Sequence, residues 1–370
     1  MFVVRRMFNK QLKTLIVPVY VDDLLPMGDK VLVDNFEVFL PKAFKVSASG
    51  DASFFLGLHI LRTREENEVA LRIDQFAFAQ TVLERFEIKG TGKVNNPLPS
   101  TESLVPNTAP AEKCDPATWS RYQSMIGSLM YLMLGTRPDL AYAVGKLARF
   151  SSNPSNDHFL AMDRVFRYLR THPKCYLEWI PSGTIAPEAY SDADWAADKA
   201  DRKSTTGYTF YLSRTVFSWS SKKQSTVATS TMEAETIALF HTSQQAAWIW
   251  QFYQQIGMSL TSPITIYCDS ETALNFVKAE SPHKASKHLD VKLHSIRERA
   301  ESGVIKLIWI DTKKNVADMF TKSLPQDAFN RHVSRLGLEA EVNDSKERKV
   351  EELLTPPEGE EPETRGSVGK

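Results

Sequence analysis

The sequence predicts a mixed α/β protein. An α/β domain of about 150 residues fills the C-terminal half, behind a short α+β region and an all-α region. Three observations carry this expectation. After Pro187, short apolar runs and amphipathic stretches alternate in the order βββαβα…βα. From Trp119 to Thr171, apolar residues recur at helical spacing. Before Val94, brief β-rich runs surround a single helical stretch.

In chain order, Thr14–Val21 reads as a strand, Asp22-Asp23 as a turn and Leu24–Met27 as the return strand. Phe54–Arg62 is a further strand, and Ile73–Phe86 has its apolar residues at helical spacing. The segment 94–118 carries five prolines and reads as an extended linker, set as a domain boundary at 101–118. Tyr122, Ile126, Leu129, Met130 and Met133 then line one helix face, followed by helices over Asp139–Phe150 and His158–Leu169. Pro138, Pro154 and Pro173 mark helix ends, because the residue before proline disfavours helical backbone. In the last half, strands are expected at Glu188–Ala193, Gly207–Leu212, Val216–Trp219, Ile264–Cys268 and Ile305–Ile310. Helices are expected at Thr231–Ile256, Glu271–Val277, Lys287–Ala300 and near Asn315–Lys322. Residues 337–370 have little to bury and read as an acidic, disordered tail.

The 370 residues hold 45 basic and 45 acidic side chains, a balance that argues against a phosphate-binding partner until it is divided along the chain. Residues 336–370 hold 5 basic and 10 acidic residues, which leaves the body with 40 against 35. The body is therefore mildly basic. Cys114, Cys175 and Cys268 form no C-x-x-C pair, which excludes a zinc ribbon or disulfide framework and suits a reducing compartment. No apolar run approaches the roughly 18 residues of a membrane span. Arg5, Arg6, Lys10 and Lys13 precede an apolar run as in a targeting segment, but Pro18 interrupts it and no small-residue cleavage site follows.

Four acids sit where strands end or inward helices begin: Asp192, Glu235, Asp269 and Asp318. Ligands of α/β sheets gather at the carboxyl ends of strands, so Asp192 and Asp269 could converge there. Oxygen ligands without a nearby thiolate suit Mg²⁺ or Mn²⁺ rather than zinc. Two such ions can activate a water and stabilise the leaving oxygen in phosphodiester hydrolysis. Spacing alone does not single these four out of 45 acids, most of which serve as caps or surface charges. Asp194 and Glu233 compete with them, each two residues from a member of the set; Asp194 can share the strand face of Asp192, whereas Glu233 falls on a different helix face from Glu235.

From Tyr190 to Leu324 the chain resembles the RNase H domain of copia-type LTR retrotransposon Pol proteins. The resemblance rests on Ser191-Asp-Ala-Asp-Trp-Ala196, Asp201-Arg-Lys-Ser-Thr-Thr-Gly-Tyr208, Phe217-Ser-Trp-Ser-Ser-Lys-Lys-Gln224, Glu233-Ala-Glu235, Tyr267-Cys-Asp-Ser270, Lys287-His-Leu-Asp-Val291 and Asn315-Val-Ala-Asp-Met-Phe-Thr-Lys322. It implies an RNase H-like mixed sheet with helices on both faces over 186–336, and Mg²⁺-dependent cleavage of the RNA strand of an RNA–DNA hybrid. By the same resemblance Asp192, Glu235, Asp269 and Asp318 form the catalytic metal-binding quartet. Asp192 would bridge both ions, Asp318 would complete the water-activating site, and Glu235 with Asp269 would complete the other. The mobile histidine that cellular RNase H enzymes often carry before the last acid has no counterpart in Ile310-Asp-Thr-Lys-Lys-Asn315.

A second resemblance covers the first segment. Tyr20-Val-Asp-Asp23 looks like the catalytic hairpin of reverse transcriptases, with Asp22 and Asp23 as metal ligands. Phe54-Phe-Leu-Gly-Leu-His-Ile60, Tyr122-Gln-Ser-Met-Ile-Gly-Ser-Leu129 and Thr136-Arg-Pro-Asp-Leu-Ala-Tyr-Ala-Val144 continue the copia-type pattern. It implies a partial palm over 1–100 and a helical thumb- or connection-like region over 119–180. The third palm aspartate would lie upstream of Asp22, and Pro26 stands in the return strand, where proline is poorly tolerated, so the polymerase site is expected to be incomplete and inactive. Arg202, Lys203, Lys222, Lys223, Lys287 and Lys292 are the cations expected to track hybrid phosphates. The implied setting is intracellular, in a cytoplasmic virus-like particle or the nucleus, with other Pol- or Gag-derived proteins as partners and no membrane. The alternative is a catalytically dead or repurposed remnant that binds nucleic acid.

Overall fold

The computed structural model describes residues 1–46, 50–65, 68–88, 90–100, 104–109, 115–181, 186–279 and 287–340. The acidic tail beyond 340 and much of the expected linker lie outside these residues.

The chain opens with the hairpin β1 (Phe2–Phe8) and β2 (Gln11–Val17), and β2 also pairs with β5 (Met27–Gly28). Between them β3 (Val19–Tyr20) and β4 (Asp23–Leu24) close a tight turn in which Val21 takes a left-handed φ of 50°. The single strand expected over Thr14–Val21 is thus split, because Pro18 offers no N–H to a ladder. Pro26 likewise interrupts the return strand between β4 and β5. Two elements here were not foreseen. The basic stretch around Arg5 and Arg6 is strand β1 with mostly exposed side chains. Residues Lys30–Ala43 form α1, which buries only Leu32 and tolerates Pro41 near its C-terminal end.

β6 (Phe54–Phe55), β7 (Leu58–Glu65) and β8 (Glu68–Asp74) follow as an antiparallel meander, then α2 (Phe76–Phe86). Ile73 therefore belongs to a strand, and the helix begins three residues later than its periodicity implied. α3 (Pro116–Gly135) starts inside the expected linker. Asp115 caps it, accepting from Thr118 N at 3.0 Å, and Pro116 stands at its first turn, where a missing N–H does no harm. α4 (Ala141–Ala148) and α5 (Asn156–Thr171) complete the helical region. That region is not all-α. Residues Cys175–Trp179 form β9, which pairs with β8 from Leu71↔Trp179 to Asp74↔Tyr176.

The C-terminal half holds a five-stranded sheet in the order β12-β11-β10-β13-β14. β10 (Glu188–Ala193), β11 (Thr205–Leu212) and β12 (Thr215–Lys223) are successive antiparallel neighbours, while β13 (Ile264–Cys268) and β14 (Ile305–Trp309) run parallel to β10. α6 (Thr231–Ile256), α7 (Glu271–Lys278) and α8 (Lys287–Glu301) cover one face, packing on Ala189, Phe210, Ile264 and Ile266. A 3-10 turn at Thr312–Lys314, a 3-10 helix at Val316–Phe320 and α9 (Gln326–Val333) follow; the 3-10 helix and α4 pack on the other side of the sheet. The last described residues, β15 (Leu338–Ala340), join the sheet of β6–β9 beside β9, so the expected tail begins as a strand.

One hydrophobic core joins the helical region to the sheet. It contains Tyr122, Leu129, Val144, Met162 and Phe166 together with Tyr211, Val216, Met319, Phe320 and Phe329. Trp219 Nε1 donates to Met133 O at 3.0 Å across this junction, and Asn96 Nδ2, from the expected linker, donates to Leu324 O at 2.6 Å. Inside it, Arg137 forms a bidentate pair with Asp139 (2.7 and 3.0 Å), and Tyr168 Oη donates to the same carboxylate at 2.8 Å. Arg137 also reaches His172 O at 2.9 Å. No helix among the described residues is long and apolar enough to cross a membrane.

Because Arg137 and Asp139 are both buried, removing one leaves the other uncompensated. Asp139→Ala is expected to lower unfolding stability by about 3–5 kcal/mol, read by urea denaturation. A loss below roughly 1 kcal/mol, the scale of an exposed pair, would show that the network is dispensable.

Candidate active site

β10 and β13 are adjacent parallel strands, so their C-terminal ends open on the same edge of the sheet. Asp192 is the penultimate residue of β10, and Asp269 follows the last residue of β13. Along β10, Ala189 and Ser191 face α6: Ala189 packs in the α6 core, and Thr242 of α6 donates to Ser191 Oγ at 3.0 Å. Strand alternation turns Asp192 the other way, toward the 3-10 helix that carries Asp318. Thr321 Oγ1, just past that helix, donates to Asp192 Oδ2.

The 3-10 helix can come this close because β11 has a glycine opposite Asp192 in the register. A Cβ on Gly207 would stand 2.7 Å from Thr321 Cγ2 and 2.9 Å from both Ala317 O and Phe320 Cβ. Asn315 fastens the helix at its other end. It is fully buried, its Oδ1 accepts from Ala317 N at 3.2 Å, and its Nδ2 donates to Ser191 O at 3.0 Å and Asp269 Oδ1 at 3.2 Å. One side chain therefore ties β10, the residue after β13 and the Asp318 helix together.

Glu235 comes from the second turn of α6. Ser230 caps that helix by accepting from Glu233 N at 3.2 Å, and the Glu233 carboxylate returns to Thr229 N (2.8 Å) and Thr229 Oγ1 (2.6 Å). Glu233 is thereby spent on the cap, in the manner of a capping box. Glu235 and Asp269 bring carboxylate oxygens within 4.8 Å of one another and of Cys268 Sγ. One Glu235 oxygen, Oε2, is buried without a hydrogen-bond partner. Asp194, the other competitor, is committed to the sheet, where it accepts from Thr205 N.

The electrostatics follow from burial. Asp192 is pushed up to about 7, chiefly by burial and then by Asp318 beside it, against the pull of the Thr321 hydroxyl. Glu235 stands well above the usual carboxylate range because it is buried near Asp192 and Asp269. Asp318 is raised by burial, although Lys322 Nζ, at 2.6 Å, draws it down. Burial disfavours the Lys322 charge, but Asp318, Asp192 and Asp269 hold that ammonium protonated above its ordinary range.

The structure thus brings the four predicted acids close enough to shift one another's charge, although the metal-capable group itself holds Glu235, Asp269 and Cys268 and not Asp192 or Asp318. Three positioning residues, Asn315, Thr321 and Lys322, lie in a stretch whose chemistry was assigned only to Asp318. Their spacing carried a signal, since Lys322 is four residues from Asp318, the separation of a local ion pair. A cysteine does stand beside the acids. Cys268 is fully buried, and burial, with Glu235 nearby, keeps its thiol well above its ordinary pKa, so it presents neutral sulfur and not thiolate. The oxygen set remains the one suited to a hard divalent cation.

The other predicted residues lie elsewhere. Asp22 and Asp23 are exposed on the β3–β4 hairpin, and the metal-capable group among the described residues does not include them. Lys223 is held by Asp198 and Asp201, both at 2.8 Å, and Lys203 is 3.9 Å from Asp201. Arg202 and Lys222 are exposed, and Lys292 stands 5.9 Å from the Phe240 ring. The side chain of Lys287 lies outside the described residues.

Residues 3–100 match the family described as reverse transcriptase (RNA-dependent DNA polymerase). The sequence is 38% identical over 318 residues to the Retrovirus-related Pol polyprotein from transposon TNT 1-94 of Nicotiana tabacum, covering 85% of this chain and 24% of that protein. It is 35% identical over 323 residues to the Retrovirus-related Pol polyprotein from transposon RE1 of Arabidopsis thaliana, covering 86% of this chain and 21% of that protein. The chain therefore spans less than a quarter of the length of these two relatives. Among solved structures, an RNase H1 isolated from compost by a metagenomic approach aligns with 40% of this chain and 99% of its own, at 16% identity and a TM-score of 0.30.

Gly207→Ala is expected to displace the Asp318 helix and weaken Mg²⁺-induced thermal stabilisation at least ten-fold in apparent affinity; an unchanged Mg²⁺ titration would show that the glycine does not set the site. The raised Asp192 pKa has a further consequence. Without divalent ions the folded protein keeps this proton to about pH 7, whereas the unfolded chain loses it near about pH 4. Between these values the native state binds more protons, so this group's contribution to stability falls as pH rises. The melting temperature of Asp192→Asn relative to wild type should therefore be higher at pH 8 than at pH 5. A difference that shrinks over that range would contradict the raised pKa.

Proposed function

We propose that this chain, which belongs to the copia-type retrotransposon Pol family, carries in its C-terminal half a nuclease that cuts the RNA strand of an RNA–DNA hybrid. The observation that carries this reading is the convergence of Asp192, Glu235, Asp269 and Asp318 at the ends of two adjacent parallel strands, three of them buried, Asp269 half-buried, and Glu235 Oε2 unpartnered. Four carboxyl groups held in so small a space repel one another once ionised, and a divalent cation relieves that repulsion. Two divalent ions, Mg²⁺ or Mn²⁺, would supply an activated water and stabilisation of the leaving oxygen.

The chain's own residues prepare the site. Asp192 would serve both ions, with Asp318 on one side and Glu235 and Asp269 on the other. Asn315 orients Asp269 and Thr321 orients Asp192, so neither carboxylate is free to rotate away. Lys322 neutralises Asp318 in the ion-free protein and must give up part of that ion pair when a cation enters. Entry also displaces protons held by Asp192 and Glu235, so apparent Mg²⁺ affinity rises with pH through the window around pH 7.

We read residues 3–100 as derived from a reverse transcriptase and without polymerase activity. Their adjacent acids, Asp22 and Asp23, are exposed on a two-residue hairpin. Primer extension by the purified protein would overturn that part.

The nuclease reading is tested with a labelled RNA–DNA hybrid and the full chain. Cleavage is expected with Mg²⁺ and none with EDTA. Asp192→Asn or Asp269→Asn should reduce it below detection while circular dichroism stays native. Undiminished cleavage by either variant sinks the assignment.

A further inference from the structure

A second charged site lies outside the carboxylate cluster. A half-open cavity of about 570 Å³ is lined by Lys313, Arg331, Ser334 and Arg335. Its walls come from two places in the chain, the turn after β14 and the end of α9. Lys313 sits on the 3-10 turn Thr312–Lys314, Arg331 on the last turn of α9, and Ser334 and Arg335 just beyond it. Arg335 Nη1 donates to Lys314 O at 3.0 Å, which fixes the α9 end against the turn. Ser334 Oγ donates to Arg331 O at 2.9 Å and keeps its oxygen available as an acceptor.

This cluster differs from the basic groups around Asp198 and Asp201 in having no acid paired with it among the described residues. Lys146, Arg149 and Lys223 all converge on Asp198, and Lys203 pairs with Asp201. Among the described residues no carboxylate forms an ion pair with Lys313, Arg331 or Arg335. The nearest acid in sequence, Asp311, is occupied by its own turn and accepts from Lys313 N at 2.9 Å. Beneath the arginines, His332 is buried and held down to about 4, by burial first and then by Arg335, Arg331 and Lys322. It adds no charge to oppose an anion. Three unmatched cations around a cavity form a site for a group with two or more anionic oxygens, and the fork of arginine fits a phosphate.

The position favours a phosphate that is part of a strand. Lys313 precedes Asn315 by two residues, and Asn315 holds Asp269. Lys322, at the carboxylates, contributes to the same positive field at His332 as the two arginines. One wall of the cavity therefore belongs to the same stretch of chain that carries Asn315, Asp318 and Lys322. We propose that the Lys313–Arg331–Arg335 cavity binds a backbone phosphate of the nucleic acid whose strand crosses the carboxylate cluster. This rests on the nuclease reading for the identity of the strand, though not for the existence of the anion site.

The test uses the full chain and a fluorescently labelled RNA–DNA hybrid, with binding followed by anisotropy in EDTA from about 50 to 200 mM salt. Lys313→Gln/Arg331→Gln is expected to weaken binding about three- to thirty-fold at the lower salt and to reduce the slope of log K against log salt by about 1, for the one phosphate no longer neutralised. Lys306→Gln, an exposed cation on β14, should leave the slope unchanged. The proposal is overturned if the double variant keeps the wild-type affinity and slope, or if Lys306→Gln loses as much. Salt-dependent binding that the double variant loses, with no cleavage by the wild type, supports the cavity and removes the nuclease reading. Cleavage with an unaltered slope does the reverse.

Discussion

Four carboxyl groups, three buried and Asp269 half-buried, meet in one corner of a sheet and repel one another, and most of what surrounds them holds that repulsion in place. An exposed acidic cluster would spread apart and be screened by water. Here Asp192 and Glu235 are nearly inaccessible, so the protein must neutralise them with protons, with Lys322, or with an ion from outside. The resulting site is poised: it is unfavourable when fully ionised and empty, and therefore receptive to a hard cation. Asn315, Thr321 and Gly207 have a common role in this arrangement. None of them carries charge, yet each sets how closely the charged groups can approach.

The C-terminal sheet and its main helices were largely legible in the sequence. Glu188–Ala193, Thr231–Ile256 and Ile264–Cys268 have the same bounds in the structure as in the expectation. Apolar runs of the right length, a Ser cap before α6 and Gly257 after it leave little choice locally. The four acids became legible only through ordered motifs, since spacing could not distinguish them from other acids. The N-terminal half was read less well for a physical reason. β1 and α1 bury little, so the periodicity that marks a packed face is weak in both. β9 was missed because a five-residue strand behind a long helix has no local mark of its pairing with β8, about a hundred residues earlier.

The site residues that sequence reasoning missed share one property: their roles are relational. Asn315 matters because it reaches Ser191 and Asp269, residues 124 and 46 positions away. Gly207 matters because a helix more than a hundred residues later lies against it. Equally, the cations singled out as phosphate contacts were chosen as neighbours in sequence. Lys203 and Lys223 prove to be matched by acids, whereas among the described residues Arg331 and Arg335, unremarkable in the sequence, are not.

The core that joins α3, α4 and α5 to β11, β12 and the Asp318 helix bears on modularity. Val144, Phe166, Tyr211, Val216 and Phe320 belong to one apolar interior shared by the helical region and the sheet. A fragment beginning at residue 186 would bare the underside of the sheet and the back of the helix that positions Asp318. The helical region thus serves the carboxylates as foundation, and the C-terminal half is not an independent packing unit. A proteolytic cut in the segment between β9 and β10 would sever the chain yet leave the two parts gripping each other through that interior.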